Sequence, residues 1–523
     1  MPFKTKEFIY PDWREEQGVF SYPASPDAKG FTPWGFDRKH DASLDMLDWE
    51  GFQCEAEMEA DGDAAFEAGF ADGRTCSASF ALLKGRHRFF LSLDAFDLPT
   101  VNRNIWRFFN SLKVSGCRLV SITALRSRSL YVQCEIRGKS ALPGSSVCYQ
   151  ASVTNCMEKD AFVNVKQICG GWESMFAICE PAVFSLEANE TKQITITLTV
   201  PRDMPAGGHE KTQLRFTANG ETDTAFVLTL YTMSALSHPY IYHDQEGWRS
   251  AARRGQTLPQ FKQSYDTYLK DANAWEITLP EEGKPYCYAT QQEHFFMSCA
   301  YAYAMTGEKR YAEKIASFFR LFAPAYLIRQ RGCSQSYVQE GHFFQHLAIS
   351  YDIIHDAGVL TEKEHEQIEA CFRFYMEVLD QHLKNGHTSN WLLSEITGAL
   401  YCAFALQDPE RVFRFAFGNG GTQQQLIRGT FNDGWWHECS VSYNTWVSSM
   451  LLHTARALRL LGIDWVHKAF PVSYSHFHDA VWMGQAAPLR FDMDNERRGG
   501  KRASASASRI FSTRRCPIWT PGA

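Results

Sequence analysis

No stretch of the chain approaches the roughly 18 consecutive apolar residues that a membrane-spanning helix needs. The N-terminal Met1-Pro2-Phe3-Lys4-Thr5-Lys6-Glu7-Phe8 also lacks the apolar core of an export signal. A cytoplasmic protein is therefore expected, with a secreted or periplasmic one as the alternative. An excess of positive charge is missing too. The net charge is −6, which provides no basic field for nucleic acid or for bulk capture of a polyanion. An acidic ligand would have to be held by local cations and amides, and neither nucleic acid nor membrane is an expected partner. There is no Cys-x-x-Cys, and the 15 cysteines are odd in number and scattered from Cys54 to Cys516. That spacing excludes a small disulfide framework and fits core thiols in a reducing compartment.

What the chain has is length and apolar content: 523 residues, 45% apolar and 14% aromatic, enough for about three domains. From Phe31 to Ser140 short alternating runs such as Phe52-Gln53-Cys54-Glu55-Ala56-Glu57-Met58 and Leu130-Tyr131-Val132-Gln133-Cys134-Glu135-Ile136 are separated by turn residues. Period-two runs of this kind predict a β-sandwich over residues 1–140, similar to a galactose-binding jelly roll. Trp49, Trp106 and Phe108 either fill its core or stack on sugar. A second set of strands, including Ile194-Thr195-Ile196-Thr197-Leu198-Thr199-Val200, predicts an immunoglobulin-like sandwich over residues 141–235.

Past Pro239 the period becomes helical. Residues 293–307 and 311–319 read as two helices joined at Gly307; 341–357 with 361–383, 391–406 with 410–428, and then 443–461 repeat the pairing. A repeat of about fifty residues reads as a helical array. Closed into a ring it is an (α/α) toroid, here spanning residues 236–495, with helix starts converging at one end. Residues 496–523, with Gly499-Gly500-Lys501-Arg502-Ala503-Ser504-Ala505-Ser506, are low-complexity and basic and predict a disordered tail. The expected fold class is thus multidomain β + α: two N-terminal β-sandwiches, a toroid and a tail.

Two groups of polar and aromatic residues interrupt this apolar helical sequence. The first is His387-Thr388-Ser389-Asn390-Trp391-Leu392-Leu393-Ser394-Glu395; the second is Asn432-Asp433-Gly434-Trp435-Trp436-His437-Glu438-Cys439-Ser440-Val441-Ser442-Tyr443-Asn444. Each opens a helix, and they lie about fifty residues apart. Asn390-Trp391-Leu392-Leu393-Ser394-Glu395 and the segment from Asp433 to Tyr443 resemble the two site motifs of the heparinase II/III-like polysaccharide lyases, and the likeness runs from about Gly247 to Asp492. Where that family often has His after the Asn, this chain has Trp391, with His387 three residues before Asn390. The resemblance implies a glycosaminoglycan or alginate lyase with an anionic polysaccharide or oligosaccharide as substrate and no required cofactor. The family continues into a C-terminal β-domain that walls one side of the cleft, and any structural divalent metal would belong there. The low-complexity tail in its place implies a truncated chain whose activity is in doubt.

The chemistry sets the roles. β-Elimination on a uronate removes the C5 proton, so donors on the neighbouring carboxylate must stabilise a developing dianion while a base takes the proton. The resemblance implies Asn390 as neutraliser, Tyr443 as base and His437 as a third catalytic group. A tyrosine with an ordinary pKa near 10 would need local lowering, from His437 or Arg428. Substrate-binding candidates are Trp391, His387, Glu340, His342, Arg428, Trp435, Trp436 and Glu438. Trp391, Trp435, Trp436 and Trp446 suit stacking on sugar faces, though some would be core. His342 and His346, spaced i, i+4, share a helix face that also suits a metal; with no third ligand in sight, sugar hydrogen bonding is preferred and no metal is expected. His476-Phe477-His478-Asp479 is a similar fragment. Each role has a plainer rival: Asn390 as an N-cap, Tyr443 as a core aromatic, His437 hydrogen-bonded to Glu438, Glu395 as a structural partner of the first motif. An (α/α)-barrel glycoside hydrolase using two of Glu340, Glu395, Asp433 and Glu438 and a non-catalytic carbohydrate-binding protein remain alternatives.

Overall fold

The computed structural model describes residues 14–16, 19–21, 46, 49–70, 74–97, 106, 109–125, 127–277, 290–328, 337–383, 388–418, 420–431 and 434–467. His387, Asn432, Asp433, Phe108, the His476–Asp479 fragment and the tail lie outside them.

Eight strands come first: β1 (Arg14–Glu16), β2 (Val19–Ser21), β3 (Gly51–Met58), β4 (Gly62–Phe70), β5 (Thr75–Leu82), β6 (Gly85–Ser92), β7 (Phe109–Ser115) and β8 (Arg118–Leu125). They form a five-stranded sheet ordered β1-β2-β7-β4-β5 and a three-stranded sheet ordered β6-β3-β8. Alternation does the work expected of it. Phe52, Cys54 and Met58 of β3 and Phe66 of β4 meet in one core, while Gln53, Glu55 and Glu57 point away. Trp49 and Trp106 are in that core, 3% and 0% exposed, so neither is a sugar-stacking platform.

Nine more strands follow: β9 (Leu130–Gln133), β10 (Gly138–Ala141), β11 (Ser146–Asn155), β12 (Ala161–Ile168), β13 (Ile178–Glu180), β14 (Val183–Leu186), β15 (Thr191–Thr199), β16 (His209–Ala218) and β17 (Glu221–Ser234). Their sheets are ordered β10-β17-β16-β12-β14 and β13-β15-β11-β9, around a core of their own. The expected boundary at residue 140 needs correcting. Leu130–Gln133 and Gly138–Ala141 pair with β11 and β17 respectively, so the second unit begins before residue 130. A run of alternating residues carries no sign of which sheet it will join, because register is decided by partners distant in sequence.

The helices are α1 (Gln245–Thr257), α2 (Pro259–Ala274), α3 (Thr290–Thr306), α4 (Lys309–Ile328), α5 (Tyr337–Ile354), α6 (Glu362–Leu383), α7 (Asn390–Ala405), α8 (Pro409–Phe417), α9 (Thr422–Gly429) and α10 (Val441–Leu458). α3 packs on α5, α5 on α7 and α7 on α10, whereas α4 packs on α6 in a second layer. The composition explains the layers. α7 is apolar all round and almost wholly buried, as a helix covered on both sides must be; α6 carries an apolar stripe and an exposed face. The single helix expected over 410–428 is instead α8 and α9, because Gly418, Gly420 and Gly421 interrupt it and Gly420 sits at φ +76°. α1 and α2 have no counterpart in the sequence reading. Their signals were Asp244, whose side chain caps α1 by accepting from Gly247 N–H, and Pro259 in the first turn of α2.

The helices of the inner layer run the same way. Glu293 of α3 meets His346 of α5, and four residues on Met297 meets Ser350. Gly341 of α5 lies against Ser394 and Gly398 of α7, and Cys402 then reaches Phe344. Their N-termini therefore share one end.

A buried carboxylate ties the segment that follows β17 to the helices. Asp352, 1% exposed, accepts from Tyr240 N–H at 3.0 Å, Ile241 N–H at 3.0 Å and His238 Nδ1 at 2.8 Å. Gln407 accepts from Leu236 N–H and donates to its carbonyl, both at 2.8 Å. Arg137 pairs with Glu410 at 2.7 Å.

Candidate active site at the starts of α7 and α10

α7 begins where the sequence reading put a helix mouth, but its cap is Ser389. The Ser389 Oγ accepts from Leu392 N–H at 3.1 Å, so Asn390 is the first helical residue and has no capping role. Asn390 is fully buried, and neither its Oδ1 nor its Nδ2 has a hydrogen-bond partner among the described residues. A buried, unsatisfied amide costs about 1–3 kcal/mol, and nothing in the local fold explains why it is kept.

The second segment folds back onto this helix start. Gly434 sits at φ +90° and Cys439 at φ +54°, two left-handed positions that turn the chain around Trp436. Phe431 N–H donates to the Trp435 carbonyl, and His437 N–H donates to Gly429 O, both at 2.8 Å. Trp436 is 1% exposed and packs on Leu393, Val447 and Met450. A side chain on Gly429 would overlap its ring. Trp436 is therefore a core residue, which corrects its reading as a sugar contact: an indole wedged between two helices gains more from burial than it could at a rim. Trp435, by contrast, is 40% exposed. Ser440 caps α10 toward Tyr443 N–H, and Tyr443, in the first turn, is 42% exposed. It is no core aromatic.

Glu438 joins the two groups. Its Oε2 accepts from the Trp436 indole N–H at 2.5 Å and from Asn390 N–H at 3.3 Å. Burial raises its pKa, while those two donors pull it down. No bond between His437 and Glu438 is seen among the described residues; the His437 ring instead lies 4.7 Å from the Trp436 ring. Trp391 is partly buried against the helical core, and Arg428 is buried on α9, where it already has interactions.

Beneath Asn390 lie two acids. Glu340 is 2% and Glu395 0% exposed. Gly341 and Gly398 bring them together, since a Cβ on either would overlap the backbone of the facing helix. Burial, and then Glu340, hold the Glu395 carboxyl well above the usual carboxylate range. Neither Glu395 oxygen has a hydrogen-bond partner among the described residues. A neutral acid in this place fits the physics, and it does not fit an ionised catalytic base.

Deeper between the inner helices is a set of groups that the sequence reading largely missed. Trp446 Nε1 donates to His342 Nε2 at 3.1 Å, which puts the His342 proton on Nδ1, facing Glu293 at 3.8 Å. Burial and His346 lower the His342 pKa, so this ring is neutral, while His346 Nδ1 bonds Glu293 directly. His453 Nδ1 faces the hydroxyls of Tyr242 and Tyr401 at 3.3 and 3.4 Å, and burial first, then His346 and His342, push its pKa down to about 4. The signal in the sequence was a polar stripe, Tyr443, Trp446 and His453, at helical spacing. Among the described residues no group of three or more His, Cys, Asp or Glu is arranged to hold a metal, and no helix is long and apolar enough to cross a membrane.

No family model matches the chain, and no curated protein matches it significantly. Among solved structures, an alginate lyase from Bacteroides ovatus is similar with a TM-score of 0.35 and 12% identity over 45% of this chain and 79% of that one. A family 123 glycoside hydrolase from Clostridium perfringens gives a TM-score of 0.17 and 10% identity over 28% of this chain and 35% of that one. A PapD-like domain of human CEP192 gives 0.16 and 17% over 21% of this chain and 88% of that domain. These likenesses are distant.

Proposed function

We propose that the chain is a polysaccharide lyase that cleaves a uronic-acid-containing glycan by β-elimination at the starts of α7 and α10, in a helical domain closed as an (α/α) toroid. The observation that carries this reading is the Glu438 bridge, one carboxylate oxygen holding the Asn390 helix start against the turn that launches Tyr443. Tyr443 is the solvent-facing proton acceptor for C5. Asn390 supplies the amide whose unpartnered Nδ2 would donate to a uronate carboxylate, and its present burial means that the mouth must open to admit substrate. His437 and Trp435 flank the sugar. Acting as phenolate, the Tyr443 oxygen takes the C5 proton, the C5–H electron pair forms the C4–C5 double bond, the C4–O bond breaks, and the leaving glycosidic oxygen takes that proton back from Tyr443.

A hydrolase needs two carboxylates flanking the bond. Glu438 is suited to an acid role by its raised pKa, but Glu340 and Glu395 are both buried away from solvent, and Glu340 adds to the rise in the Glu395 pKa. The test is incubation with hyaluronan, chondroitin, heparan and alginate. An unsaturated, ultraviolet-absorbing product from at least one of them is expected. New reducing ends without that absorbance would replace the lyase with a hydrolase, and binding without turnover would replace it with a carbohydrate-binding protein.

A further inference from the structure

We propose that the cavity between α1, α2 and the C-terminal half of α3 is a binding site for a monomeric sugar acid, a small anion that stacks through the C–H face of a saturated ring and offers hydroxyls beside its carboxylate. The cavity has a volume of about 320 Å³, at the small end of ligand pockets. It is lined by the rings of Tyr242, Trp248, Phe261, Tyr265, Tyr268 and Tyr301. Trp248 and Tyr268 both pack on Tyr301, with ring centres 5.4 and 5.1 Å apart. Gly255 is required there, because a Cβ at that position would overlap the Tyr265 ring.

The charge is one-sided. Arg254 is the charged residue among the described lining residues, and the Arg456 guanidinium lies 5.1 Å from the centre of the Tyr242 ring. The nearby carboxylate, Asp244, is engaged in capping α1 through Gly247 N–H at 2.7 Å. An aromatic wall beside uncompensated guanidinium favours a ligand that stacks through one face and presents a carboxylate. The Trp248 indole N–H adds a second pointer. Trp248 is 6% exposed, and its Nε1 has no partner among the described residues, so it is a buried donor beside the cavity that a hydroxyl or carboxylate oxygen would satisfy.

This place is distinct from the mouth. Tyr301 and Met305 lie 11 and 15 residues beyond the first residue of α3, roughly 16–22 Å along the helix axis, and the N-termini of the inner helices face the other way. The proposal therefore does not rest on the lyase reading.

Titration of the full chain with glucuronate, followed by calorimetry and tryptophan fluorescence, tests it, with glucose and benzoate as probes of charge and ring type. One equivalent of glucuronate should bind saturably and at least about tenfold more tightly than neutral glucose or benzoate. Arg254→Ala should weaken binding by about tenfold or more, and Trp248→Phe, which keeps a ring but removes the donor, by severalfold. Trp435→Ala, which weakens binding at the mouth, should leave it unchanged. Absent saturation, equal affinity for glucose, preference for benzoate, or a loss that follows Trp435→Ala but not Arg254→Ala would each overturn the proposal.

Discussion

Asp352 and Glu395 are equally buried carboxylates in neighbouring inner helices, and they are treated in opposite ways. Asp352 accepts from two backbone N–H groups and a histidine of the segment entering the helical region. Glu395 has neither oxygen paired among the described residues and sits against a second acid. A buried polar group that is fully paired does structural work, fixing one arrangement of strands against helices. An unpaired one costs stability and is kept where something else requires it. On this comparison the junction at Asp352 is architecture, and the α5–α7 crossing near Asn390 is where the proposed site places its unpaired polar groups.

The largest effect is expected at the paired carboxylate. Asp352→Ala strands three donors at once and should cost on the order of 3–5 kcal/mol in denaturant unfolding; a loss below about 1 kcal/mol would remove the distinction between the two acids. Trp436→Ala should come next, about 3–5 kcal/mol for a fully packed indole, while Trp435→Ala should change stability by less than about 0.5 kcal/mol and act on substrate affinity instead. Equal effects from the two neighbours would contradict their placement.

A pH-dependent effect is the most diagnostic of the unpaired acid. Because burial raises the Glu395 pKa in the folded state, its contribution to stability is complete below the ordinary carboxylate range. It is lost as pH rises toward the folded pKa, at about 1.4 kcal/mol per pH unit. Glu395→Gln keeps the shape without the ionisation, so the variant should be flatter with pH above about 5 and relatively more stable at pH 8. An unchanged pH profile would show that Glu395 is not held neutral.

Much of the architecture was legible because burial of one face writes a period into the sequence. β3 alternates as written, and α6 and α7 end within a residue or two of where their apolar spacing stops. The boundary near residue 130 was not, since alternation in Leu130–Gln133 says nothing about its partner sheet. The break between α8 and α9 was visible as three glycines but was overridden by the flanking helical spacing. The placement of Asn390 and Tyr443 at helix starts was legible, because polar residues ahead of an apolar run mark a helix mouth. Trp436 was misassigned because an indole has the same letter in a core and at a sugar site. Glu293 and His453 were missed because they need partners on other helices, which spacing along one helix cannot reveal.

The most direct measurement of the central claim is the rate of unsaturated-product formation by Tyr443→Phe beside Glu395→Gln on the same uronate polymer. Tyr443→Phe keeps an exposed ring and removes the proton-accepting oxygen, so kcat should fall about 10²-fold or more while substrate still binds. Glu395→Gln, which replaces an already neutral acid, should turn over at close to the wild-type rate. Normal turnover by Tyr443→Phe together with abolished activity in Glu395→Gln would contradict the account and assign the chemistry to the carboxylates.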